Sequence, residues 1–210
     1  MATPKALPSK PSLLSGEQLD ALRGLAAHGT SESVRTLSAL LGAQVEGTHP
    51  RAHVAPRGLI HKVLAVGNEE TFATHFEIEG AAGIRQLIHF TKTGATLMAG
   101  LLLAAGKTVQ TPFDPRSSVY VSSLAEAGNV IISAYLNGVG AAVGRKLVCS
   151  VPHVIEGPLE GATRTAFAEM DEVVLLVTDL RLPGVRAAGR IVTAIEEGGV
   201  RDLLLSARSR

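Results

Sequence analysis

Ser122, Glu126, Asn129, Ser133 and Asn137 follow one another at steps of four, three, four and four. On an α-helix, at about 100° per residue, these positions fall within an arc of roughly 80°. Leu124, Ala127, Val130, Ile131, Ala134, Tyr135 and Val139 make the rest of the helix apolar. A narrow polar stripe therefore runs along a helix otherwise built for burial. Glu126 and Asn129, a carboxylate and a carboxamide three residues apart, are placed to act together on something brought to the helix from outside. By residue type alone the stripe also fits a solvated helix face with no chemistry.

The elements that must position this stripe read as follows. Ser15 suits an N-cap for a helix through Leu22 and Leu25. Gly29-Thr30 reads as a break, and Ser31 to Leu41 as a helical continuation. LIHKVLAV, from Leu59 to Val66, reads as a strand. Thr74 to Glu79 and Arg85 to Phe90 alternate apolar and polar residues, as half-buried antiparallel strands do. Lys92 to Ala105 reads as an apolar helix. Thr111 to Arg116, with Pro112 and Pro115, reads as a linker. Beyond the motif helix, Lys146 to Val154, Thr165 to Glu169, Glu172 to Thr178 and Arg190 to Ile195 read as strands, with a turn at Leu182-Pro183-Gly184. The expected fold is an α/β sandwich (in the α+β sense) of two α-then-antiparallel-β halves with pseudo-twofold symmetry. Residues 1–13 are expected to form a disordered tail, and 14–210 one domain with halves at about 14–110 and 111–210.

Composition removes several alternatives. The chain has 210 residues, 46% of them hydrophobic and 19% charged, an ordinary balance for a protein with a core. Aromatic residues make up 3% and Trp is absent, so that core is mostly aliphatic. A formal net charge of +1 without basic blocks argues against nucleic acid as a partner. A single cysteine, Cys149, excludes an internal disulfide, and its apolar run KLVCSV suggests a buried small residue. Residues 1–12 lack the apolar core of a secretory signal. The apolar stretches read as too short or too interrupted to span a membrane. The expectation is a cytoplasmic protein with no membrane partner.

Other candidate motifs lead nowhere. The glycine-rich run from Gly138 to Gly144 follows a helix, whereas a dinucleotide-binding turn follows a strand. It reads as small residues for close helix packing. His49 and His53 have i,i+4 spacing, but Pro50 and Arg51 place them in an extended region, so no metal site is expected. His28, His61, His75, His89 and His153 show no ligand spacing, and Ser133 lacks the setting of a nucleophilic serine.

Ser122, three residues, Glu126, two residues, Asn129, twenty-two residues, Pro152 resembles the signature of the CheC/CheX/FliY phosphatases of bacterial chemotaxis, and CheC most. All four fixed positions match without a gap. EAGNVIISAYLNGVG is also similar to the family's conserved helix. The resemblance implies hydrolysis of the aspartyl phosphate on the response regulator CheY, with Mg²⁺ carried by the regulator and no cofactor or metal on this chain. It implies that Asn129 orients the attacking water and that Glu126 contacts the regulator's active-site lysine. Ser122 supports the helix or the interface, and Pro152 shapes the following strand. CheD is a further candidate partner. The alternative is a non-enzymatic adaptor or flagellar-switch-like module binding CheY or CheD.

Family members of this type resemble tandem duplications, and the chain carries a second copy. A shift of 102 residues lays Ser122 on Asp20, Glu126 on Gly24, Asn129 on Ala27 and Pro152 on Pro50. Gly24 and Ala27 have no side chain to polarise or position water. One competent site, on the second helix, and a degenerate first site are therefore expected. Because each half supplies the other's partner, a monomer is expected.

Overall fold

A computed structural model describes residues 14–64, 70–105, 118–182 and 185–208. The expected tail 1–13, the linker Thr111–Arg116 and the turn residues Pro183 and Gly184 lie outside the described residues. The first half contains α1 (Gly16–Leu41), β1 (Glu46–Gly47), β2 (Arg51–Pro56), a 3₁₀ turn (Arg57–Leu59), α2 (Ile60–Val63), β3 (Glu70–Glu79), β4 (Ile84–Thr91) and α3 (Lys92–Ala105). The second contains α4 (Ser118–Val143), β5 (Val148–Cys149), β6 (His153–Pro158), α5 (Leu159–Ala166), β7 (Glu172–Leu182), β8 (Val185–Glu196) and α6 (Glu197–Arg208).

The repeat extends well past the motif. α1 and α4, β1 and β5, and β2 and β6 are each offset by 102 residues at both ends, and α3 and α6 start 105 apart. All eight strands form one antiparallel sheet in the order β1-β7-β8-β4-β3-β5, with β2 also on β7 and β6 also on β3. The halves interlock: β2 pairs with β7 of the second half, Pro56 opposite Glu172. β6 pairs with β3 of the first half, Pro158 opposite Glu70. At the centre β4 pairs with β8, and Leu87 lies opposite Val192, its own counterpart in the 105-residue offset. The pseudo-twofold axis passes there.

Strand alternation splits the core in two. Phe72, Phe76, Ile88, Val174, Leu176 and Ile191 face the layer of α1, α3, α4 and α6. Ala73, Leu87, Leu175, Val177 and Val192 face α2 and α5. The central strands are thus covered on both faces, which is why stretches such as VVLLV read as continuous apolar runs.

α1 starts at a Ser15–Gln18 capping box and ends on Gly42 at φ 59°. α4 is followed by the equivalent Gly144 at φ 73°. Both positions lie in the left-handed region that glycine tolerates best. The two long helices pack against each other. Ser33 Oγ donates to the Ile131 carbonyl at 2.9 Å, and a Cβ on Gly29 would lie 2.7 Å from the Tyr135 ring. These contacts exchange under the 102-residue shift. They also correct the expected break at Gly29-Thr30: α1 runs through unbroken, and Gly29 is there to admit Tyr135. Gly138 fits the close-packing reading, since a Cβ there would meet the His28 carbonyl at 2.5 Å.

Three strand readings are corrected. Ile60 and Leu64 of LIHKVLAV are both buried, one turn apart, and residues 60–63 are helical. Thr165 and Ala166 end α5, whose buried Leu159, Ala162, Thr163 and Ala166 have helical spacing, and a turn follows at 167–169. The single strand expected from Lys146 to Val154 is two, β5 and β6, interrupted at 150–152. Pro152 there has no N–H to donate to a ladder. The membrane reading also changes. By length and composition α4 can cross a membrane, although half of its most apolar window is buried.

Candidate functional site

α4 carries the polar stripe, and its opposite side holds it rigid. Leu124, Ala127, Ile131, Tyr135 and Val139 are buried against α1 and the sheet. Tyr135 is fully enclosed, and burial pushes its hydroxyl pKa up to about 12 despite a hydrogen bond to Thr193. Along the stripe Ser122, Glu126 and Asn137 are exposed, and Asn129 and Ser133 are half-buried. Among the described residues Glu126 forms no ion pair or hydrogen bond, so its carboxylate is available to an incoming group.

Pro152 is half-buried just before β6. The chain between β5 and β6 is tied to β3 through Ser150: its N–H donates to the Glu77 carbonyl at 2.9 Å, and its Oγ accepts from the Glu77 N–H at 3.1 Å. Val154 lies opposite Thr74 on β3, and Thr74 packs under Gly128 of α4. β5 therefore lies beside α4, with Cys149 against Asn129 and Ser133, and β6 continues along the same edge of β3. Among the exposed large apolar side chains of α4 and of the chain from β5 to β6, Val119 at 59% and Val151 at 73% exposure are the most open. Among the described residues one cleft, lined in part by Leu136, Asn137, Gly140 and Lys146, takes in the C-terminal end of the stripe; another, lined in part by Val54, Val174, Val200, Glu172, Glu196 and Glu197, lies where β7 begins and β8 ends. Neither takes in Glu126 or Asn129, where the stripe is an open face.

Sequence reasoning missed one neighbour. Cys149, expected to be buried filler, is half-buried, and its Sγ lies 3.6 Å from Asn129 Oδ1 and 3.5 Å from Ser133 Oγ. No local pattern joins residues twenty positions apart. The pairing of β5 with β3, Cys149 opposite Ile78, brings them together.

The first-half counterparts are placed differently. Asp20 is exposed and paired with Arg23 one turn on. Gly24 is exposed with open space around it. Ala27 is half-buried and Pro50 is buried. Among the described residues, Gly24 and Ala27 stand where the carboxylate and carboxamide stand in the second half. His53 lies in β2, and burial, then the nearby Arg51 and Arg23, lowers its pKa.

No family model and no curated protein matches the chain by sequence. Solved structures do match. Thermotoga maritima FliY superposes with a TM-score of 0.74 at 16% identity, over 94% of this chain and 98% of that one. The FliM middle domain from H. pylori gives 0.63 at 13% identity, over 92% and 99%. The chemotaxis protein CheX from Desulfovibrio desulfuricans gives 0.56 at 16% identity, over 82% and 99%. Together with the repeat and the interlocked sheet, these likenesses show that the chain has the fold of the CheC/CheX/FliY chemotaxis proteins.

Proposed function

We propose that this protein stimulates hydrolysis of the aspartyl phosphate of the chemotaxis response regulator CheY in the cytoplasm. The observation that carries the reading is the pair Glu126 and Asn129, side by side on the open face of a helix anchored by its buried side. An acyl phosphate is already labile, and the regulator brings its own Mg²⁺. What a partner can add is a water held in line with the phosphorus. Asn129, whose Nδ2 has no protein partner among the described residues, donates to that water's oxygen and leaves a lone pair for attack. Glu126 binds the regulator's lysine and holds the two surfaces in register. Ser122 lies at the edge of the same contact. Val119 and Val151 supply apolar contact suited to a protein surface rather than a small molecule. No covalent intermediate forms on this chain.

A second reading has support from the FliM-like fold: a switch-type module that binds CheY, or CheD, without chemistry. Phosphate release from phosphorylated CheY, with and without this protein, separates the two. Acceleration at substoichiometric protein is expected. Binding without acceleration favours the switch-type module.

A further inference from the structure

Asn129 is held from behind. A thiol has one proton, and the Cys149 S–H is directed to Asn129 Oδ1 at 3.6 Å. The 3.5 Å contact between Ser133 Oγ and Cys149 Sγ is then donated by the serine. A chain of donors runs from Ser133 on α4 to Cys149 on β5 and back to Asn129 one turn earlier on α4. Its middle member stands on the sheet, because β5 is paired with β3 and Ser150 is bonded to Glu77 in both directions.

The orientation of an asparagine carboxamide is set weakly by its own torsion, since the last side-chain angle is broad and roughly two-fold. Helix geometry therefore points the Asn129 side chain outward without choosing how its amide is turned. The thiol makes that choice: Oδ1 is drawn inward and the amino group is left facing the open surface. The first half offers an internal comparison. The positions 102 residues earlier are Ala27 and Gly47, so carboxamide and thiol are missing together. A Cβ on Gly47 would lie 2.7 Å from Thr30 Cγ2, so the first half leaves no room for a side chain at the position the thiol occupies in the second.

We propose that Cys149 is a positioning residue for the phosphatase reaction, orienting the Asn129 carboxamide toward the attacking water. This rests on the phosphatase reading above. The test compares Cys149→Ala, which removes the donor, with Cys149→Ser, which keeps one. Cys149→Ala is expected to lower kcat for phosphorylated CheY about tenfold, within the range that misplacing a reacting group costs. Its half-saturation should change by less than about twofold, because the group acts on water alignment and not on docking. Cys149→Ser should recover most of the turnover.

A second readout does not depend on activity. The side-chain amide resonances of Asn129, identified by their loss in Asn129→Ala, should shift in Cys149→Ala and stay near the wild-type position in Cys149→Ser, with the backbone spectrum otherwise preserved. Wild-type turnover in Cys149→Ala, or an unmoved Asn129 amide, overturns the positioning role and leaves the phosphatase reading standing. No acceleration by the wild-type protein overturns the phosphatase reading and this role with it.

Discussion

At the scale of single residues, the proposed mechanism assigns different duties to Glu126 and Asn129. Asn129→Ala should abolish stimulated dephosphorylation with the fold intact. The residue is half-buried, and among the described residues its side chain makes one hydrogen bond, from a weak sulfur donor. Phosphate release, with circular dichroism as a control for folding, checks this; near wild-type activity would remove Asn129 from the mechanism. Glu126→Ala should act on docking, raising the half-saturation for phosphorylated CheY more than it lowers kcat. A loss confined to kcat would show that the carboxylate takes part in the chemistry instead.

At the scale of elements, the paired helices separate glycines that matter from one that does not. Gly138 sits where a Cβ would meet backbone at 2.5 Å, while Gly24 has nothing within 4 Å. Gly138→Ala should destabilise by about 1–3 kcal/mol, the usual cost of overpacking against atoms that cannot move aside. Gly24→Ala should stabilise by about 0.5–1 kcal/mol through helix propensity. Its phosphatase activity should be unchanged, because the proposed mechanism uses no residue of the first-half stripe. Urea midpoints of the two variants check the contrast, and two shifts of the same sign would contradict the helix contact described for α1 and α4.

At the scale of the whole molecule, the sheet carries a pH-dependent weakness. His89 on β4 is 6% exposed, and neither ring nitrogen has a partner among the described residues. Burial, reinforced by the charge of Arg190, depresses its pKa from 6.5 to about 3. A group depressed on folding contributes stability that is fully present above its unfolded pKa and is lost as pH falls toward the folded value. Unfolding midpoints should therefore decline from about pH 6.5 downward. His75, lowered to about 4 mainly by burial, adds to the same slope. His89→Leu should flatten the decline between about pH 6.5 and 4; an unchanged slope would place the acid sensitivity elsewhere. Assembly belongs to this scale too. The long helices cover each other's apolar faces within one chain, so light scattering at micromolar concentration should give the monomer mass of 21.8 kDa. A stable dimer would contradict the self-contained pseudo-dimer and favour the switch-type module.

The chain's order of residues determined much by itself. The helical spacing from Ser122 to Asn137 specified the stripe, because one helix period orders all five side chains without reference to the rest of the molecule. The 102-residue offset between Asp20 and Ser122 specified the duplication, because a repeated fold unit needs a repeated pattern of burial. The loss of Glu and Asn at Gly24 and Ala27 was likewise plain. What tertiary structure decided is what depends on neighbours distant in sequence. Gly29 resembles a helix break until Tyr135 occupies its open side. Residues 165–169 resemble a strand until the buried spacing of Leu159, Ala162 and Ala166 places the first of them at the end of a helix. Cys149 resembles core filler until β3 holds it between Ser133 and Asn129. Local periodicity reports which face of an element is buried; only the pairing of strands and the packing of helices reports which side chain the buried face will meet.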